Sequence, residues 1–256
     1  MWRIRTAFTL LELLVVIGVI SLLTAILLPA LQSGRRAALD LKCRANMHAV
    51  TTEFLLFADP TTGRPRGDSD QLGPNRFRID DFQESVYHIA EFWDGGKSDR
   101  LALNPAQQPM MCPSGPNELE RRANMPCDAG AVGPRRSVSV GFNRRLRDGS
   151  RMIGNQGPFF FSVYLSDRIL QYPDVPLLLD VDGEVAEARN ILPYYTAPPA
   201  SRRVQTDVYD SGQFWFPALR HRGRVNVAFV GGHVLSSADP LGEPWWRWDY
   251  SPGQVP

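Results

Sequence analysis

Apolar positions are distributed along this chain in two different ways. Residues 8–28, FTLLELLVVIGVISLLTAILL, form an almost unbroken apolar run with one charged residue, Glu12. As a helix the run is about 31 Å long at about 1.5 Å per residue, close to the hydrocarbon thickness of a bilayer. Beyond Pro29 the pattern becomes periodic. Leu39, Cys43, Met47, Val50, Phe54 and Phe57 recur at spacings of three and four, which predicts one apolar face of an amphipathic helix. Arg35, Arg36, Asp40, Lys42, Arg44, Asn46 and Glu53 fill its other faces. Pro29 is expected to bend the helix without ending it, and Asp59-Pro60 to end it.

Downstream the pattern shortens. Residues 60–80 are rich in Gly, Pro and charge and read as a loop. A short helix is expected at 81–93, with Phe82, Val86, Ile89, Ala90 and Trp93 on one side. Residues 104–136 read as loop again. Strands are expected at Ser137–Phe142, Phe159–Leu165, Pro176–Val181 and Val225–Val230, each a short apolar or alternating run between turn residues. Arg224–Val230 and His233–Ser236 flank Gly231-Gly232, a two-residue hairpin turn. The Gly and Pro content, 21 each, argues against an all-helical bundle. The expected fold is therefore α+β, with a long N-terminal transmembrane and amphipathic helix packed on a small antiparallel sheet. The aromatic tail, with Trp245, Trp246 and Trp248, is expected to pack on this head.

Charge sharpens the reading of the first segment. Arg3 and Arg5 precede the apolar run with no acidic residue to offset them, so the N-terminus is expected to stay cytoplasmic and the C-terminal bulk to lie outside. The run is longer than the apolar core of a secretory signal peptide, and Leu28-Pro29-Ala30 has Leu where such a cleavage site needs a small residue. A carboxylate inside an apolar span costs on the order of a few kcal/mol unless paired. Cleavage before Phe8 would place a new ammonium four residues from Glu12, on the same or a neighbouring chain.

The segment Thr6-Ala7-Phe8-Thr9-Leu10-Leu11-Glu12-Leu13 resembles the processing site of type IV prepilins and type II secretion pseudopilins. The resemblance implies cleavage between Ala7 and Phe8 by a prepilin peptidase, N-methylation of Phe8, and a role for Glu12 in pairing with a neighbouring subunit's N-terminus. Ala7 stands where the family usually has Gly. The implied organisation is a leader at 1–7, a transmembrane helix at 8–28, its amphipathic continuation at 29–59 and a loop-rich α+β head at 60–256. The implied partners are the prepilin peptidase/methylase, like pilin subunits and an inner-membrane assembly platform. The implied place is the inner membrane, with the head periplasmic or extracellular.

A second resemblance runs through His221 and Gly231-Gly232, which are similar to a C-terminal signature of prepilin-like proteins: His, nine residues, then Asp-Gly. Here Gly231 replaces the Asp, so the turn is kept and the carboxylate is not. Cys43, Cys112-Pro113-Ser114 and Gly141-Phe142-Asn143 are similar to other elements of that group. Three cysteines allow at most one intrachain disulfide. Cys43 with Cys112 is the expected pair, with Cys127 the second candidate for Cys112, in an oxidising compartment. A thiolate zinc site is not expected, because no CxxC pair occurs.

Other chemistry is weaker. Asp180, Asp182 and Glu184 offer carboxylates to calcium without the spacing of a calcium loop, and an acidic strand end is the plainer reading. No cofactor is otherwise expected. His48, His88 and His233 share no ligand spacing, and no catalytic triad order, phosphate loop or HExxH pattern occurs. With 28 basic against 27 acidic residues, a nucleic-acid partner is not expected. The sequence therefore reads as a structural pilin-like subunit and not an enzyme. The alternative is a non-assembling, membrane-tethered binding protein of the cell envelope.

Overall fold

The computed structural model describes residues 10–63, 75–87, 100–103, 109–118, 120–121, 131–146, 149–152, 161–199, 211–248 and 250. One helix, α1, runs unbroken from Leu10–Ala58 with Pro29 inside it. Its 49 residues span about 73 Å at the usual rise. The strands that follow are β1 (Arg76–Phe77), β2 (Arg100–Leu103), β3 (Glu120–Arg121), β4 (Ala131–Pro134), β5 (Val140–Asn143), β6 (Gly149–Met152), β7 (Phe161–Ser166), β8 (Pro176–Asp180), β9 (Tyr195–Thr196), β10 (Val225–Phe229) and β11 (Val234–Ser237). Two short helices join them, α2 (Ile79–Tyr87) and α3 (Gly183–Ala188).

The central sheet has the order β11-β10-β8-β5-β9. Its pairings are antiparallel except for β9, which runs parallel to β5. Two further sheets have three strands each, β1-β7-β6 and β2-β4-β3. The fold is thus α+β with a long apolar N-terminal helix, as expected, but the sheet is mixed and not wholly antiparallel. The expected loops at 60–80 and 104–136 also contain strands. At two to four residues, and rich in Gly, Pro and Arg, β1, β3 and β4 are too short to show a period of two. The expected helix at 81–93 begins earlier, at Ile79; Ile89, Ala90 and Trp93 lie outside the described residues.

The two halves of α1 have different surroundings. Every residue from 10 to 38 is exposed. From Cys43 onward the periodic face, Cys43, Met47, Val50, Phe54 and Phe57, is buried in the main core. Phe54 and Phe57 meet Phe77 and Phe82 edge to face at 5.4–5.9 Å, a favoured ring geometry. Leu178 and Ala228, paired across β8 and β10, lie in the same core. The other face of the sheet carries a second core in which Leu179, Val227 and Phe229 meet Phe216 and Trp248. Trp248 and Trp246 do pack on the head, whereas Trp245 is exposed.

The β10–β11 hairpin closes on Gly231-Gly232, as its sequence predicts. Gly232 has φ +89°, which glycine adopts without a Cβ clash. Gly231 donates its N–H to the Pro173 carbonyl at 2.9 Å. A Cβ on Gly231 would lie 2.7 Å from the Pro173 Cβ and 3.0 Å from its carbonyl oxygen. An aspartate therefore does not fit at this position without moving Pro173.

Two stability outcomes follow from this packing, both read by chemical unfolding of the detergent-solubilised full chain. Phe54→Ala should cost about 3–5 kcal/mol, because a fully buried ring and its two edge contacts are lost. Gly231→Asp should cost about 1–3 kcal/mol through overpacking against a rigid proline; wild-type stability in that variant would show that the close approach is not a constraint.

Candidate functional site

Asp180 and Asn226 are buried polar positions on the helix-facing side of the central sheet. Asp180 ends β8, and Asn226 is the second residue of β10. Both are fully buried. The backbone N–H of Asn226 donates to Asp180 Oδ2 at 3.2 Å, and its side chain donates to Asp40 Oδ1 at 3.0 Å. Asp40 and Cys43 are three residues apart on α1, a spacing that puts both on one face. The helix thus meets the sheet here through hydrogen-bonding groups instead of methyl groups.

Two turns complete the cluster. His221 opens a four-residue turn in which His221 and Arg224 exchange backbone hydrogen bonds, His221 N to Arg224 O at 3.2 Å and Arg224 N to His221 O at 3.1 Å. Arg222 and Gly223 both have positive φ, +56° and +75°, the geometry of a tight two-residue hairpin turn. Cys112 opens a turn through Pro113 and Ser114, closed by the Gly115 N–H on the Cys112 carbonyl at 2.9 Å. Gly115 suits its place because a Cβ would lie 2.7 Å from Ser139 Oγ. The Asn46 side chain contacts the Met111 carbonyl at 3.5 Å, tying this turn to α1.

The result is a compact group of four buried side chains, Cys43, Cys112, Asp180 and His221. One nitrogen, sulfur or oxygen atom from each lies within 4.8 Å of the others. Cys43 Sγ is 3.2 Å from Asp180 Oδ1. His221 Nε2 is 3.1 Å from Asp180 Oδ2 and 3.3 Å from Cys112 Sγ. On the far side of the ring, Nδ1 is 3.1 Å from Asp40 Oδ1. Arg44 in turn reaches Asp40 Oδ2 at 3.1 Å. Among the described residues, no other group of three or more His, Cys, Asp or Glu side chains converges in this way.

The groups shift one another's protonation. Burial opposes a charge on His221, but hydrogen bonds with Asp180 and Cys112 outweigh it and raise the imidazole to about 10. The hydrogen bond from Cys43 is the largest influence on Cys112 and, with help from His221, lowers this thiol against the opposing effect of burial. The same contact, followed by burial and the nearby Asp180 charge, raises the Cys43 thiol. Burial works to raise Asp40, and hydrogen bonding to Asn226 with the charges of Arg44 and His221 brings it below the ordinary aspartate value. Cys112 is thus the more acidic of the two thiols and Cys43 the less acidic.

The residues singled out from the sequence fare differently. Cys43 and Cys112, the expected disulfide pair, lie in one cluster, but as two free thiols engaged with Asp180 and His221. Cys127, Ala7, Phe8 and His88 fall outside the described residues. His221 belongs to the cluster, and its carboxylate partners are Asp40 and Asp180 instead of anything at position 231. His48 donates from Nδ1 to the Gly232 carbonyl at 2.6 Å, and His233 stacks on Phe229. The acidic segment 180–184 does not gather its carboxylates for calcium. Asp180 turns inward, Asp182 caps α3 by accepting from the N–H groups of Glu184 and Val185, and Glu184 is exposed. Asp40 and Asn226 had no separate signal, since each reads as an ordinary polar residue of a helix face or strand, and Asp180 stood out only as one of the acidic residues at 180–184. The chain matches no protein-family model, and neither a curated protein nor a solved structure is significantly similar to it.

Proposed function

We propose that this protein is a pilin-like or pseudopilin subunit, anchored in the membrane by the first half of α1 and assembled with like subunits through it. One observation carries the reading. The apolar part of α1 is long enough to cross a bilayer and has no covering surface from the described part of its own chain, although the same helix continues directly into the core of the head. About 19 residues from Leu10 to Leu28 span about 28 Å. In water this exposed surface would be strongly unfavourable; lipid and neighbouring helices supply the missing apolar surroundings.

The polar groups in the span suit those surroundings. Ser21 donates to the Ile17 carbonyl at 2.7 Å, and Thr24 to the Ile20 carbonyl at 3.0 Å. Such hydroxyls are satisfied within the helix and present no unpaired donor to lipid. Glu12 lies in the first turn of the described helix. Its carboxylate is placed where a processed N-terminal ammonium, from this or an adjacent subunit, would offset the cost of burying it. The prepilin-like sequence from Thr6 to Leu13 adds the means of making that ammonium.

Two measurements test this. N-terminal sequencing of the chain isolated from its own membranes should begin at Phe8, methylated on nitrogen; an intact Met1 start would remove the pilin reading. Glu12→Ala should leave the head folded, with wild-type protease resistance, while crosslinking into oligomers falls at least several-fold. Assembly at wild-type levels in that variant would favour the non-assembling, membrane-tethered protein instead.

A further inference from the structure

We infer that Cys43, Cys112, Asp180 and His221 form a structural zinc site that fastens the membrane helix to the head. The inference concerns the head and stands apart from whether the helix assembles. Its basis is geometric. A tetrahedral zinc site, with Zn–S about 2.3 Å and Zn–N or Zn–O about 2.0 Å, has ligand-to-ligand edges of about 3.3–3.8 Å. The observed contacts, 3.1 Å from His221 Nε2 to Asp180 Oδ2 and 3.3 Å from His221 Nε2 to Cys112 Sγ, come within a few tenths of an ångström of those edges, and Cys43 Sγ lies 3.2 Å from the other oxygen of the same carboxylate, Oδ1. All four atoms fall within 4.8 Å of one another, so one ion can reach them all with small side-chain adjustments.

The donor set selects the metal. Two thiolates, one imidazole and one carboxylate suit zinc; calcium and magnesium prefer oxygen ligands throughout. All four residues are buried, and four protein ligands leave no position for water or substrate, as in structural and not catalytic zinc sites. Binding displaces protons from the two thiols and from His221 Nε2, leaving a neutral imidazole whose Nε2 lone pair faces the ion.

The surroundings supply the support that zinc ligands ordinarily have. His221 directs its other ring nitrogen at Asp40 Oδ1, 3.1 Å away, which fixes the tautomer and the ring plane. Asp40 is held by Asn226 and Arg44. The Asn226 backbone N–H, 3.2 Å from Asp180 Oδ2, steadies that carboxylate. Four ligands come from four separate places, α1, the turn at 112, the end of β8 and the turn before β10. An ion joining them would close long loops of chain, and its binding free energy would count as folding free energy. The absence of a CxxC pair does not bear on such a site, because the fold and not the local sequence brings the sulfurs together.

The test is metal analysis and cobalt(II) substitution of the full-length chain, extracted in detergent without a histidine tag. The expected result is about one zinc per chain, with thiolate-to-metal charge transfer and tetrahedral d–d absorption in the cobalt form. Cys112→Ser should lower bound metal at least tenfold. Asp40→Asn should keep the stoichiometry and weaken affinity about 10–100-fold, as expected for a residue that orients a ligand. His48→Gln, outside the cluster, should change neither. If Cys112→Ser does not fold, the wild-type cobalt spectrum and its loss to a chelator decide alone. A folded wild-type chain that is free of metal, with Cys43 and Cys112 both titratable as thiols, overturns the inference. So does one whose intact mass shows a Cys43–Cys112 disulfide, or one whose cobalt lacks thiolate charge transfer.

Discussion

A single unbroken helix in two different surroundings is the constraint on which the remainder of this structure depends. From residue 10 to 38, α1 exposes every side chain, and from Cys43 it lines the main core of the head. The helix is continuous between them, so the halves share one angular register at about 100° per residue. Pro29 removes one backbone donor without ending the helix. The orientation of the head about the helix axis is consequently set by how the outer half docks on the sheet. Any contact that fixes that docking also fixes the direction in which the head projects from the exposed apolar half of the helix.

Apolar packing alone fixes such a docking weakly, because a stripe of Met, Val and Phe can slide or roll on a sheet with modest loss. The polar cluster is a stronger determinant. Asp180 is fully buried, and a carboxylate there is tolerable only with its partners in place. Rolling α1 by one residue would carry Cys43 and Asp40 away from Asp180, His221 and Asn226 together. The buried groups left behind would each cost about 1–3 kcal/mol or more. The cluster thus penalises wrong registers of helix on sheet more than it rewards the right one.

The elements legible in the sequence were those with a long or clean pattern. The helix from the apolar run to Ala58, the apolar face at Cys43, Met47, Val50, Phe54 and Phe57, and the β10–β11 hairpin around Gly231-Gly232 all follow from periodicity and turn chemistry. Strands of two to four residues, such as β1, β3 and β9, carry too few positions for a period to show. The cluster was half visible. Cys43, Cys112 and His221 stood out as residue types, but Asp40 was indistinguishable from a solvent-facing acid, and Asp180 stood out only as part of the acidic strand end at 180–184. The contacts of Asp180 with Cys43 and of Asp40 with Asn226 span 137 and 186 residues of sequence, which no local window contains.

The absence of a carboxylate at position 231 is consistent with this arrangement. His221 already has carboxylates on both ring nitrogens, from Asp40 and Asp180, so nothing is left for a third to satisfy. Position 231 serves the backbone instead, with its N–H on Pro173 and no room for a Cβ. The turn it forms still reaches the helix, because His48 donates to the Gly232 carbonyl. The β10–β11 hairpin is therefore pinned to α1 at both ends of β10, by Asn226 on Asp40 at the start and by Gly232 on His48 beyond its end. Two attachments separated along a rigid strand resist both sliding and rotation of the helix, where either alone would act as a pivot.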